Sequence, residues 1–141
     1  MDKDNRIQKR REERQQALNF LFERMFRDDT IEDLYNDALD SRDEEVSDYA
    51  KKVVEGIESN LDEIDGLIQS HLKGWKINRI SKIALSVMRI AVYEMKYVKS
   101  VPISVSINEA VRMAKSYSTD KDGSFVNGVL GAIAKELQGE E

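Results

Sequence analysis

The sequence contains no cysteine, one proline and one histidine among its 141 residues. Without cysteine the chain has no disulfide framework, no thiolate nucleophile and no zinc site built on sulfur. A single histidine provides neither a cluster of metal ligands nor a general base with a partner at fixed spacing. Because proline and glycine are scarce, long helices are favoured over a strand-rich fold. We therefore expect no metal and no cofactor.

Long apolar runs are also missing. No run approaches the roughly 18 residues that a membrane-spanning helix needs. The opening segment, MDKDNRIQKRREER, lacks the apolar stretch of a signal peptide. The sequence has no P-loop, no dinucleotide-binding glycine pattern and no nucleophile elbow. These absences predict a cytoplasmic protein that is not an enzyme and does not span a membrane.

The charged residues are unevenly distributed along the chain. Residues 1–27 carry eight Lys or Arg and five Asp or Glu, whereas residues 28–72 carry three and fifteen. Residues 73–118 then carry nine basic and two acidic side chains. The net charge of −5 therefore hides two basic segments on either side of an acidic one, and it does not argue against a nucleic-acid partner.

Apolar residues recur at helical spacing through most of the sequence. The pattern predicts an all-α fold of about seven helices in two packed bundles, about 1–74 and about 75–141. Thr30 is a candidate N-cap, with an acidic residue three positions later. The segment VPISVSI alternates as a strand would, but Pro102 and the helical pattern after it favour the start of a helix.

The segment 101–133 is predicted to form two short helices joined by a polar hinge at residues 118–124. Phe125 would open the second helix. Gly128 and Gly131 lie inside that helix, where each costs roughly 1 kcal/mol relative to alanine. Their spacing suggests that another backbone or a ligand comes close.

The N-terminal helix carries a basic cluster that includes Arg10, Arg11 and Arg14. Arg10 and Arg14 are four residues apart and would share a helical face. Guanidinium groups on one face can contact several phosphates. A solvated helix end is the other interpretation of the charge pattern, since two glutamates interrupt the cluster.

Arg89 and Glu94 lie in or beside the most apolar predicted helix, about residues 78–97. Charged groups in such surroundings need a partner. We expect an internal ion pair or hydrogen bonds, with Asn108 or Glu109 as candidate partners, rather than a catalytic role.

Several motifs together resemble one known family. They are INEAV and the AK after it, FVNGVLG, Trp75, the run MRIAVYEM, Val101-Pro102, and RREER near the start. These segments are similar to the transcription antitermination factor NusB family, over nearly the whole chain. The resemblance implies binding of boxA-type single-stranded RNA together with a small-subunit ribosomal protein that acts as NusE. It further implies assembly with RNA polymerase, which would then resist termination, notably on ribosomal RNA operons.

The resemblance assigns RNA contacts to Arg10, Arg11, Arg14 and Phe125. An aromatic ring at a helix end can stack on an unpaired base. Lys121 and Ser124, in the adjoining hinge, are further candidates for phosphate contacts.

Three residues depart from the family pattern where the ribosomal partner is expected to bind. Ala84-Leu85 replace an acidic–basic pair, and Phe22 replaces a tyrosine. We keep Phe22 and Ala84 as candidate partner contacts, since an apolar contact could replace the charged one.

Two other functions fit the sequence. One is a helical protein-interaction adaptor that binds no RNA. The other is a stand-alone relative of the RNA-binding domain of RNA cytosine methyltransferases, although the printed sequence holds no methyl-donor domain. A monomer and a homodimer fit equally well.

Overall fold

Seven α-helices and one short 3-10 helix make up the regular structure of the computed structural model, which describes residues 2–139. The helices are α1 (Asp2–Arg24), α2 (Ile31–Arg42), α3 (Asp48–Ser59), α4 (Leu61–Gln69), α5 (Lys82–Tyr97), α6 (Ile103–Tyr117) and α7 (Asp120–Leu137), with the 3-10 helix at Ile77–Arg79. The predicted all-α fold is confirmed, and there is no strand within residues 2–139. The VPISVSI segment enters α6 as a helix directly after Pro102.

The chain divides into two compact units, Met1–Gly56 and Ile57–Glu141. The division falls within α3, whereas the sequence suggested a boundary near Gly74. The difference arises from α4, which packs against α5 and α7 and so belongs with the C-terminal helices.

In the N-terminal unit, α1 buries an apolar stripe at helical spacing. Its buried apolar residues are Ala17, Leu18, Phe20 and Leu21. The Phe20 ring meets Tyr35 of α2 edge to face, with 5.2 Å between centroids. The Gln16 side chain fixes the loop between α2 and α3, because it donates to the Glu45 carbonyl at 3.0 Å and accepts from the Ser47 N–H at 3.0 Å.

In the C-terminal unit, α5 is buried on nearly all sides and contacts α4, α6 and α7, as its apolar sequence predicts. Arg89 makes a two-pronged ion pair with Asp65 of α4, at 2.8 and 2.7 Å. The buried Glu94 carboxylate accepts a hydrogen bond from the Ser106 hydroxyl at 2.9 Å. The expected internal partners therefore exist, with Asp65 paired to Arg89 and Ser106 bonded to Glu94.

Helix starts follow the capping chemistry of the sequence. The Thr30 hydroxyl accepts from the Asp33 N–H at 3.1 Å, which confirms the predicted cap of α2. The Ser81 hydroxyl does the same for the Ala84 N–H at the start of α5. No helix within residues 2–139 is long and apolar enough to cross a membrane.

Candidate nucleic-acid interface

Two neighbours hold Arg10 on the surface of α1. Its guanidinium carbon lies 3.5 Å from the centroid of the Tyr49 ring, and its Nη1 lies 3.3 Å from Oε1 of Glu13. The Arg10 side chain is still 39% exposed. A guanidinium that contacts an aromatic ring keeps edge N–H donors that can reach an external phosphate.

Arg10 is part of a surface groove of about 540 Å³ between α1 and α3, which we call the basic groove. Cationic side chains outnumber carboxylates around it. Its lining residues are Arg6, Lys9, Arg10, Glu13, Asp48, Tyr49 and Lys52. The groove therefore has the positive charge that an RNA backbone requires, although two carboxylates partly offset it.

The other two predicted arginines lie differently. Arg11 is half-buried in α1, next to the basic groove in sequence. Arg14 is only 3% exposed, so it does not present its guanidinium to an external phosphate. The structure does not support an RNA contact at Arg14, because this position begins the buried stripe that continues through Ala17, Leu18 and Leu21.

Sequence reasoning missed several residues of the basic groove. Arg6 shares the helical face of Lys9, Arg10 and Glu13, and its four-residue spacing from Arg10 alone could have identified it. Lys52 joins the groove from α3 by a long-range contact, as Tyr49 does. No local pattern in the sequence predicts that these residues of α3 lie beside α1.

A second group of predicted residues lies at the start of α7. Lys121 and Ser124 are exposed and Phe125 is half-buried. The expected hinge is shorter than predicted, because α7 begins at Asp120 and all three residues are helical. The Thr119 hydroxyl accepts from the Asp122 N–H at 2.9 Å and so starts the helix early. The prediction that Phe125 opens its helix is therefore wrong, since the ring lies in the second turn.

The start of α7 is held in place by Asp122. Its carboxylate accepts hydrogen bonds from the Ser118 hydroxyl and, at 2.8 Å, from the Ser81 hydroxyl at the start of α5. The nearby Lys121, Ser124 and Phe125 therefore stand on a fixed helix end and not on a hinge.

The sequence suggested that another backbone or a ligand comes close to Gly128 and Gly131 of α7. A Cβ added at Gly128 or Gly131 would meet nothing within 4 Å, so no other backbone approaches them within the described chain. The close approach is at Gly123, where a Cβ would lie 2.5 Å from Cγ of Lys115 on α6. Gly128 instead leaves open space beside Phe125, along a groove that both residues line.

The two candidate partner-contact residues, Phe22 and Ala84, differ in their exposure. Phe22 is half-buried and meets Phe26, with 5.1 Å between ring centroids, and Phe26 is 61% exposed. These two rings form an aromatic patch at the end of α1. Ala84 is 0% exposed, so its side chain has no surface to offer to a partner. The structure does not support a partner contact at Ala84, because α5 is the buried centre of its unit.

His71 lies beside a carboxylate. Its Nε2 lies 2.9 Å from Oε1 of Glu136 in the same unit. Within residues 2–139 no three His, Asp or Glu side chains come together as a metal-binding group would require.

Comparisons with known proteins identify the family of this chain. The model of the NusB family matches residues 11–135. A transcription antitermination protein NusB from Listeria monocytogenes serotype 4a (strain HCC23) is 44% identical over 132 residues, which is 91% of this chain and 98% of the relative. Among solved structures, NusB of T. maritima superposes with a TM-score of 0.79 at 39% identity, over 90% of this chain and 91% of that chain.

A further solved structure contains the antitermination factors NusB and NusE in complex with double-stranded RNA. It matches this chain with a TM-score of 0.79 at 29% identity, over 90% of this chain and 96% of that chain. The curated relatives are named as antitermination proteins and not as enzymes, in agreement with the sequence prediction. The extent of the family match and the identity to these relatives lead to one conclusion: the chain belongs to the NusB family.

Proposed function

We propose that this protein is a transcription antitermination factor that binds boxA-type single-stranded RNA together with the small-subunit ribosomal protein that acts as NusE. The complex joins RNA polymerase in the cytoplasm and makes it resist termination, notably on ribosomal RNA operons. The observation that carries the proposal is the guanidinium of Arg10, stacked on Tyr49 within a basic groove of a protein whose net charge is −5.

The basic groove is the first RNA-contact surface. Arg10 and Arg11 pair with phosphates, and Arg6, Lys9 and Lys52 extend the same positive surface. Each neutralised phosphate releases counterions, so binding weakens as salt rises. These contacts give affinity and fix the position of the backbone, but they do not read the sequence.

The start of α7 is the second RNA-contact surface. Lys121 and Ser124 contact the backbone, and the half-buried ring of Phe125 provides a face for an unpaired base. Stacking on aromatic rings is how proteins commonly bind single-stranded RNA. Because a related NusB is solved with double-stranded RNA, a duplex must be one of the probes.

The partner protein binds at the Phe22–Phe26 patch at the end of α1. Phe26 is 61% exposed, and aromatic rings are enriched at protein–protein interfaces. The relative solved together with NusE supports a protein partner of this kind. We propose that the apolar patch replaces the charged contact that the family pattern places at Ala84-Leu85.

The test is a titration followed by fluorescence anisotropy. A labelled boxA-type RNA, a scrambled RNA and a duplex of the boxA sequence are each titrated with the protein, with and without the ribosomal partner, at two salt concentrations. We expect selective, salt-sensitive binding of the single strand that tightens with the partner. Equal weak binding of all three RNAs, unchanged by the partner, would favour the adaptor without RNA binding.

A further inference from the structure

The only tryptophan of the chain stands exposed beside a second groove. Trp75 is 59% exposed and lies in the loop after α4. With one face of α7 this loop forms a groove of about 530 Å³ within the C-terminal unit, which we call the aromatic groove. Its lining residues include His71, Lys73, Trp75, Ser124, Phe125 and Gly128. The site described above uses Phe125 and Ser124 but gives no role to Trp75.

The Gln69 side chain holds the backbone at and after Trp75 by two hydrogen bonds. The Gln69 side chain donates to the Trp75 carbonyl at 2.8 Å and accepts from the Ile77 N–H at 2.8 Å. Lys73 and Gly74 both have positive φ, 50° and 95°, and turn the chain sharply before the tryptophan. A large apolar ring on a rigid loop, left in water, is a feature of binding surfaces.

The wall of the groove that α7 forms has free space at Gly128. A Cβ at Gly128 would touch nothing within 4 Å, so this position adds no bulk beside Phe125. The groove thus offers two aromatic side chains, Trp75 and Phe125, with free space at the glycine. Such a space suits a flat, rigid ligand.

The charge around the loop indicates the class of ligand. The segment KGWKINR holds Lys73, Lys76 and Arg79 within four residues of Trp75, and all three are exposed. Of these, Lys73 lines the groove. His71, which lines the groove, has its Nε2 2.9 Å from Oε1 of Glu136. Cations next to an exposed aromatic face match a polyanion that carries flat rings.

We propose that the aromatic groove binds an unpaired nucleobase of RNA, stacked on the indole of Trp75, while Lys73 and Lys76 pair with the adjacent phosphates. The inference rests on the proposed function, since it extends the surface of Ser124 and Phe125 to a second element. An apolar peptide would also fill the groove, but it would not account for three exposed cations in seven residues.

The first experiment measures the fluorescence of Trp75. Because the chain has one tryptophan, its fluorescence reports on this groove alone. We expect single-stranded RNA to quench the emission as it saturates the wild-type protein, since a stacked base contacts the indole. Inorganic polyphosphate is the control: it binds the same cations but has no base, and it should leave the emission nearly unchanged.

The second experiment measures affinity by anisotropy. Stacking on an aromatic ring contributes about 1–3 kcal/mol per base, so W75A should weaken RNA binding by about fivefold or more. W75F keeps an aromatic face and should recover most of the affinity. The control is Y117A, which removes a ring that is 51% exposed at the end of α6 and is not among the residues that line this groove. Circular dichroism confirms that each variant is folded.

The outcomes separate this inference from the proposed function. If RNA binds with its salt dependence intact, but W75A binds as tightly as wild type and no quenching occurs, the nucleobase site is wrong and the function stands. If W75A loses the ribosomal partner and keeps RNA, the groove is a protein-docking site. If wild-type protein binds no RNA under any condition, both proposals are overturned.

Discussion

The guanidinium carbon of Arg10 lies 3.5 Å from the centroid of the Tyr49 ring, and this contact joins α1 to α3 across the basic groove. The ring orients a side chain that would otherwise sample many rotamers. It contacts the face of the guanidinium and not its donor edge, on which Nη1 lies 3.3 Å from Glu13. Charge and orientation therefore come from two different residues, and they can be separated by mutation.

Arg10→Ala removes the charge, and Tyr49→Leu removes only the ring. We expect Arg10→Ala to weaken RNA binding and to lower the slope of log affinity against log salt by about one. Tyr49→Leu should weaken binding less and leave the slope as in wild type. Lys99→Ala, an exposed cation in the loop between α5 and α6, serves as the control. An unchanged slope in Arg10→Ala would remove this arginine from the RNA contacts.

The cap of α7 is expected to matter for both stability and binding. Thr119→Ala should lower the free energy of unfolding by about 1 kcal/mol, since the Asp122 N–H loses its acceptor. Thr30→Ala makes the same change at α2 and should cost a similar amount. Urea unfolding followed by circular dichroism measures both variants. Only Thr119→Ala should also weaken RNA binding, because only α7 carries Lys121 and Phe125. Equal RNA affinity in the two variants would count against the α7 surface.

Alanine substitutions at Gly128 and Gly131 form a matched pair of variants that tests the aromatic groove. Neither has a neighbour within 4 Å of an added Cβ, so alanine at either position should stabilise the protein by about 0.5–1 kcal/mol through helix propensity. Gly128 lines the aromatic groove and Gly131 is not among its lining residues. We expect Gly128→Ala to weaken RNA binding and Gly131→Ala to leave it unchanged, as measured by thermal unfolding and anisotropy on the same samples. Identical RNA affinity in both would mean that nothing occupies the space beside Gly128.

Stability is expected to depend on pH through Glu63. Its carboxylate pairs with Lys96 at 2.6 Å and accepts from the Tyr97 hydroxyl at 2.9 Å, and these contacts lower the pKa of Glu63. Because the folded pKa lies below the unfolded value of 4.5, the stabilisation is complete above about that pH and is lost as the pH falls through the folded pKa.

Glu63→Gln should therefore lower the thermal midpoint at neutral pH, and the difference from wild type should shrink in acid. Lys96→Met should show the same trend, and the double variant should not be additive. A difference that stays constant from neutral to acidic pH would show that the ion pair contributes nothing to this dependence.

Local signals in the sequence predicted the helices well. The cap at Thr30 depends on two residues three positions apart, and the apolar character of α5 is visible along a single segment. The start of α7 was missed because residues 118–124 are typical of a turn. Thr119 and Asp122 have the same spacing as the cap of α2, and the helix begins there.

The candidate site was less predictable, since it depends on contacts between distant parts of the chain. Arg14 looked equivalent to Arg10 in charge and spacing, but its position on the buried stripe of α1 decides its exposure. Tyr49 and Lys52 reach the basic groove only because α3 packs next to α1. Trp75 was noticed as part of a motif, but only the folded loop shows that its indole is exposed.

The most direct measurement of the proposed function is transcription through a terminator. Two templates carry either boxA or a scrambled sequence upstream of the same terminator, and they are transcribed with RNA polymerase, its elongation factors and the ribosomal partner. We predict that this protein raises read-through on the boxA template alone, and that Arg10→Ala reduces the effect while Lys99→Ala does not. Equal read-through on both templates, with or without the protein, would contradict the account.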